Sequence, residues 1–282
     1  MRLIDVNSSV DAKMLLDRIE RTLKSECPQI PFLFSDKPPN VTCDDERIFD
    51  GLCRAVFSAN ATWEPIKENW EMVRSALCML KVHAVAALSE KDLFLACNEL
   101  ASYLSQAMSP EDLCHKVRYV RDDAICLLRI AQKHGSFSAL IGSFLIKDRL
   151  DNSIIDTARE AEVFMRFTDS NGEDKLRGVG LAIFCEFCKN IGIDEFKPDR
   201  HIKRFFQWIN LLGGVGPEMD RPCRNLGIAI ARAAGQPRTY VDSLIWNFCA
   251  DKRGEICRKS GRGSKCKVCK LRSENPILCS GF

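Results

Sequence analysis

Leu176-Arg177-Gly178-Val179-Gly180-Leu181-Ala182 is the stretch on which the fold turns. It stands between a polar turn, Asp169-Ser170-Asn171-Gly172-Glu173-Asp174, and an apolar run, Ile183-Phe184-Cys185-Glu186-Phe187-Cys188. Two glycines flanking one apolar residue allow a tight hairpin with positive φ, in which successive backbone N–H groups face one anion where a helix dipole begins. Gly178, Val179 and Gly180, with Arg177 before them, are therefore candidate phosphate contacts. A Gly-x-Gly step also marks ordinary turns between helices, so the hairpin draws its meaning from what surrounds it.

Outward from the hairpin, helical periodicity recurs and strand-like alternation is scarce. Residues 8–23 open with hydroxyl caps and carry apolar side chains on one face. Pro28, Pro31, Pro38 and Pro39 interrupt the pattern. Helical patterns follow at about 47–58, 64–80, 90–107, 110–134, 154–168, 179–190, 199–211, 222–234 and 238–250. The chain is expected to be all-α. Residues 135–153 are ambiguous, one more short helix or an apolar lid.

Composition narrows the class. At 282 residues and 46% hydrophobic, the chain has material for one large core or two modest ones. A net charge of +3 means that an anionic partner must be met by local clustering. The fifteen cysteines are an odd number in a long chain whose start, Met1-Arg2-Leu3-Ile4-Asp5-Val6, lacks an apolar signal core. This favours a reducing compartment, not a secreted disulfide scaffold. No run approaches the roughly 20 apolar residues of a membrane span.

Two further segments carry chemistry. Lys197-Pro198-Asp199-Arg200-His201-Ile202-Lys203-Arg204 sets an acid at a helix start among cations. Asp199 is then either a plain N-cap or a carboxylate meeting developing positive charge. At the C-terminal end, Cys257, Cys266, Cys269 and Cys279 offer four thiolates able to converge on one centre, and between Lys252 and Arg272 nine Lys or Arg face one acid, Glu255. Cys185 and Cys188 form a second Cys-x2-Cys inside an apolar helix, where packing is the expected role.

In order, Phe57-Ser58-Ala59-Asn60-Ala61-Thr62-Trp63, the hairpin, the Asp199 segment and the terminal cysteines resemble the helix-hairpin-helix DNA glycosylases of the endonuclease III type, over about residues 47 to 279. That family reads Ser-Ala-Gln-Ala-Thr, Leu-Pro-Gly-Val-Gly and Val-Asp-Thr-His-Ile-x-Arg at these places. The resemblance puts Asn60 where the family's Gln wedges into the duplex, Arg177 at the hairpin Pro, and Asp199 at the catalytic Asp; Arg200 and His201 join Asn60 and the hairpin as expected DNA contacts. It makes residues 118–131 the helix preceding the hairpin region.

The implied architecture is two-lobed: residues 1–45 as an N-terminal helix and linker packing on the C-terminal lobe, 46–194 as a helical barrel with the hairpin, and 195–282 as the lobe with Asp199 and the cysteines. The target nucleotide would enter between the lobes. The implied partner is double-stranded DNA with a flipped base, bound by a monomer in the nucleoid or nucleus. The implied cofactor is a 4Fe-4S cluster on Cys257, Cys266, Cys269 and Cys279, with zinc as the alternative, although the Cys-x8-Cys-x2-Cys-x9-Cys spacing is wider than the family's. Members that also cut the strand carry Lys two residues after the second hairpin Gly. Here that residue is Ala182, and Lys189 lies about two helical turns further on. The expected activity is a monofunctional glycosylase. A non-catalytic DNA-binding protein of the same fold, or a lyase using a non-standard lysine, are the alternatives.

Overall fold

The computed structural model describes residues 5–30, 44–144, 157–250, 253–257, 265 and 267–274. Fourteen α-helices, and no strand, occur among them: α1 (Ser9–Glu26), α2 (Asp45–Ser58), α3 (Trp63–Glu68), α4 (Trp70–Ala76), α5 (Val82–Ala86), α6 (Glu90–Leu104), α7 (Pro110–His134), α8 (Phe137–Phe144), α9 (Thr157–Thr168), α10 (Leu181–Asn190), α11 (Arg200–Trp208), α12 (Asp220–Ala234), α13 (Arg238–Cys249) and α14 (Lys270–Glu274). The all-α expectation holds.

Local chemistry sets many of the boundaries. Ser89 and Asp92 close a reciprocal capping box on α6. Ser109 caps α7, whose first residue is Pro110, and Gly135 ends that helix at φ +86°. The pattern expected over 64–80 as one helix divides instead. At Asn69 (φ −105°, ψ 20°) α3 stops, and the Asn69 side-chain amide donates to the Pro65 carbonyl. Beyond α4 the chain turns through Cys78, Met79 and Leu80, all with φ between 53° and 56°, and α5 begins two residues on. Apolar spacing alone does not register such a left-handed break.

The chain forms two compact units, Pro39–Ile193 and Met1–Pro38 with Asp194–Phe282. In the first, α2 packs against α7 and α10, and α7 against α5 and α6. Gly51 makes the α2–α10 approach possible, since a Cβ there would lie 2.8 Å from the Ile191 side chain. Phe137, Phe164, Phe167, Phe184 and Phe187 interlock with centroids 5.3 to 5.9 Å apart, within the range favourable for aromatic pairs. The ambiguous stretch is thereby partly resolved: Phe137, Leu140 and Ile141 of α8 are buried in this core, while residues 145–153 lie outside the described ones.

In the second unit α1 packs on α12 and α13. Leu15, Ile19 and Leu23 share its core with Phe205, Phe206 and Phe248. The strap Asp194–Asp199 crosses this core on buried polar anchors. Asp194 accepts from the N–H groups of Arg238 and Thr239 at 2.9 and 2.8 Å, capping α13. Glu195 pairs with Arg224 at 2.5 and 3.0 Å, both fully buried. Phe196 packs face-on to Gly227, where a Cβ would sit 2.4 Å from its ring.

Candidate active site and nucleic-acid interface

The hairpin takes shape from the side chains beneath it. Leu176 and Val179 are buried, which fixes its inner side, and Arg177, Gly178 and Gly180 are exposed. The Leu176 N–H donates to the Phe167 carbonyl at the end of α9. Lys175 Nζ donates to the carbonyls of Thr168 and Val179, tying the loop to α9. Gly178 has φ +67°, and a Cβ there would strike the Tyr119 ring at 2.5 Å. That position strongly favours glycine, because any side chain there meets both backbone strain and the ring. The Arg177 N–H points inward to Asp123 Oδ1 at 2.6 Å, whereas the N–H groups of Gly178, Gly180, Leu181 and Ala182 have no acceptor among the described residues. With open space over Gly180, these are the uncapped N–H groups of the hairpin and the first turn of α10.

Asp123 is fully buried, and burial pushes its carboxyl well above the usual carboxylate range, opposed by the Arg177 N–H. The helix directly before the hairpin is α9. Residues 118–131, expected in that place, belong to α7, which lies under the hairpin and supplies Tyr119 and Asp123.

Asn60 follows α2 in an exposed turn at φ +51°, a left-handed conformation that Asn tolerates better than most residues. Lys116 holds this turn. Its ammonium, on a side chain 8% exposed, donates to the carbonyls of Phe57 at 2.8 Å and Ala59 at 2.5 Å. Thr62 begins α3 without a side-chain cap, and its N–H donates to the Ala107 carbonyl at 3.1 Å.

In the other unit Asp199 is the N-cap of α11. Its Oδ1 accepts from the His201 N–H at 2.7 Å, leaving Oδ2 without a partner among the described residues. The side chain is half-buried. Lys197 upstream is pinned through its N–H to Asp242 Oδ1 at 3.2 Å. Of the two following residues, Arg200 is exposed and His201 is buried, its Nδ1 accepting from Arg204 at 2.5 Å. Asp199 is thus an N-cap that commits one carboxylate oxygen to the helix.

No protein-family model and no curated protein sequence matches the chain. Solved structures do. It is similar to the 8-oxoguanine DNA glycosylase of Thermotoga maritima (TM-score 0.54, 15% identity, 84% of this chain and 96% of that one). It is also similar to the Methanocaldococcus jannaschii 8-oxoguanine glycosylase/lyase in complex with DNA containing 8-oxoguanine (0.53, 18%, 83% and 96%), and to the 8-oxoguanine DNA glycosylase of the same organism in a further structure (0.51, 18%, 83% and 93%). The chain has the fold of these glycosylases. The helix-hairpin-helix architecture expected from the motif order is therefore present; at these identities the likeness is one of fold.

Lys189, the non-standard lysine, lies near the end of α10, 3.7 Å from Glu186. Cys185 and Cys188 are fully buried in the core of their unit, in agreement with a packing role. Of the four terminal cysteines, Cys257 and Cys269 are buried in one core with α1 and α13, at 8% and 7% exposure. Cys266 and Cys279 lie outside the described residues. The segment around Cys269 is tied to α1 by the Lys270 N–H to Thr22 Oγ1 at 3.2 Å and by Glu274 to Arg18 at 2.8 Å.

Sequence reasoning missed Lys116, Tyr119 and Asp123. Nothing in their local pattern separates them from other α7 residues. A glycine hairpin does imply that something lies close beneath it, but not what.

Proposed function

We propose that this protein is a DNA N-glycosylase that hydrolyses the bond between deoxyribose and a damaged, mismatched or modified base flipped out of duplex DNA. The observation that carries this reading is the hairpin: N–H groups at the head of α10 without an acceptor among the described residues, held by buried Leu176 and Val179, would form a phosphate grip of a kind that needs no sequence-specific side chain. The glycosylase fold supports it. Arg177 and Arg200, both exposed, add charge for the DNA backbone, and His201 contributes its backbone N–H to orienting Asp199.

A stacked base is out of reach, so the nucleotide must leave the duplex and the gap must be filled; Asn60, projecting from its clamped turn, fits that wedge. As the glycosidic bond lengthens, positive charge develops on the sugar. The Asp199 carboxylate stabilises that charge and orients or deprotonates the attacking water. Ala182 occupies the hairpin-proximal position where a Schiff-base lysine would be needed, and hence the reaction is hydrolysis without strand cleavage. Because two of the similar proteins act on 8-oxoguanine, that base is the first substrate to assay.

Cys257, Cys266, Cys269 and Cys279 would hold a 4Fe-4S cluster, or zinc, at the end of the unit that contains Asp199. The burial of Cys257 and Cys269 in one core fits a shared centre. Such a centre would staple the basic segment and take no part in the chemistry.

The test is incubation with duplexes carrying 8-oxoguanine and other modified bases, followed by alkali. We expect abasic sites from the wild type and a loss of about 100-fold or more in excision for Asp199→Asn with DNA binding retained. Borohydride should trap no covalent adduct. If no duplex in the panel yields abasic sites, a binding protein of the same fold is the better description.

A further inference from the structure

Lys116 invites a question that its packing does not answer. Removing an ammonium from water is costly unless it gains strong partners, and a buried lysine ordinarily pairs with a carboxylate. Here the ammonium donates to two main-chain carbonyls, Phe57 and Ala59, at the C-terminal end of α2. Those carbonyls bracket the step at which the chain leaves the helix for the exposed, left-handed Asn60. The far side of the turn is secured separately, by the Thr62 N–H on the Ala107 carbonyl. A buried cation is thereby committed to fixing a solvent-facing turn.

The position of Lys116 on α7 adds a second constraint. Tyr119, three residues on, lies beneath Gly178, and Asp123, seven residues on, holds the Arg177 N–H. Spacings of three and seven place all three on one face of the helix, with Lys116 and Asp123 separated by about 10 Å of helical rise. One rigid rod therefore carries both the Asn60 turn and the hairpin. The two elements proposed to contact DNA take their mutual spacing from α7.

We propose that Lys116 is a positioning residue: through the carbonyls of Phe57 and Ala59 it sets the Asn60 turn in register with the hairpin, so that Asn60 enters the duplex while the hairpin holds the backbone. This rests on the DNA reading above, and it assigns to α7 a task that neither glycine hairpin nor Asp199 performs. Lys116 does not touch the nucleic acid.

The experiment uses the full chain and a duplex with a tetrahydrofuran abasic analogue opposite 2-aminopurine, whose fluorescence reports insertion beside the widowed base. Wild type should raise the fluorescence, and Asn60→Ala should abolish most of that rise. Lys116→Met should behave like Asn60→Ala, with insertion slowed about tenfold or more, as expected for a displaced but intact contact group. DNA affinity should change far less, because the hairpin is untouched. Lys116→Arg, which can still donate to both carbonyls, should restore most of the signal. Should Lys116→Met fail to fold, Lys116→Gln, which keeps a single donor group, reads the same effect in milder form. Amide exchange should quicken at residues 58–61 and not at 176–180. A wild type that leaves the fluorescence unchanged overturns the DNA reading and this one with it. Normal insertion by Lys116→Met, alongside an Asn60→Ala defect, overturns the role of Lys116 alone.

Discussion

At the scale of single residues, two glycines of one hairpin have different duties. Gly178 sits at φ +67° over the Tyr119 ring, so Gly178→Ala meets both backbone strain and a clash; Gly180 is extended at φ −97° with open space above it. We expect Gly178→Ala to destabilise the protein by about 1–3 kcal/mol in urea unfolding. Gly180→Ala should cost about 0.5 kcal/mol or less and, if the hairpin holds a phosphate as proposed, still weaken DNA binding, because its new methyl would occupy that space.

Lys116 makes a second prediction at this scale. Burial lowers its pKa to about 8, opposed by Asp112. Below about pH 8 the lysine is charged in folded and unfolded chains alike, and its penalty is constant. Between about 8 and the ordinary value near 10.5 the unfolded chain binds the extra proton, so the unfolding free energy rises with pH. The measurable quantity is the difference in urea stability between wild type and Lys116→Met from pH 7 to 10. It should shift in favour of the wild type by a few kcal/mol at most; a flat difference would contradict the depressed pKa. The clamp survives this titration, since a neutral amine keeps two N–H donors for its two carbonyls.

Among the elements, the strap 194–199 matters most, because it delivers Asp199 to the start of α11. It is a non-helical segment in a buried setting, and each polar group on it has to find a partner. Asp194 satisfies the head of α13, Glu195 takes Arg224, and Asp242 takes the Lys197 N–H. Arg224→Met leaves Glu195 in the core with the Arg238 guanidinium 3.9 Å away. The expected loss is about 3–5 kcal/mol, and the double variant Arg224→Met with Glu195→Leu should recover only part of it: the desolvation of the pair is relieved, but the buried Phe196 N–H, which donates to Glu195 Oε1 at 2.7 Å, and Arg238 lose that carboxylate. Calorimetric or urea unfolding of the two variants decides this. The helix α7 is the equivalent frame in the other unit, with its N-terminal half under the Asn60 turn and its middle under the hairpin.

For the molecule as a whole, the cysteine-rich end bears on how the unit containing Asp199 is held together. Cys257 and Cys269 lie in the same core as α1 and α13. If the four cysteines hold an iron–sulfur cluster, purified protein should contain about four irons per chain, and zinc would appear instead as a single ion. Cys257→Ser should reduce the metal content and lower the unfolding midpoint, because metal binding to a folded site is coupled to folding. Metal-free wild-type protein with an unchanged midpoint would argue against either metal.

Much of the fold was legible in the sequence because helices are written in local terms. Apolar side chains repeat at the helical period, Ser89 and Ser109 mark helix starts, and Gly135 marks an end. The hairpin and the N-cap geometry of Asp199 were legible for the same reason: the glycine at 178 and the acid before α11 act within a few residues of themselves. The break at Asn69 and the left-handed run at 78–80 were not, since the apolar spacing continues across both. Nor were the groups behind the site. Asp123 meets a backbone N–H 54 residues away and Lys116 reaches carbonyls 57 and 59 residues away. Sequence alone thus determined where most helices, a tight glycine turn and a capping carboxylate occur, since those follow from neighbouring residues. Tertiary structure alone decided what holds them, because a buried lysine or aspartate acquires its role only when packing brings distant main chain to it and shuts out the water that would otherwise serve as its partner.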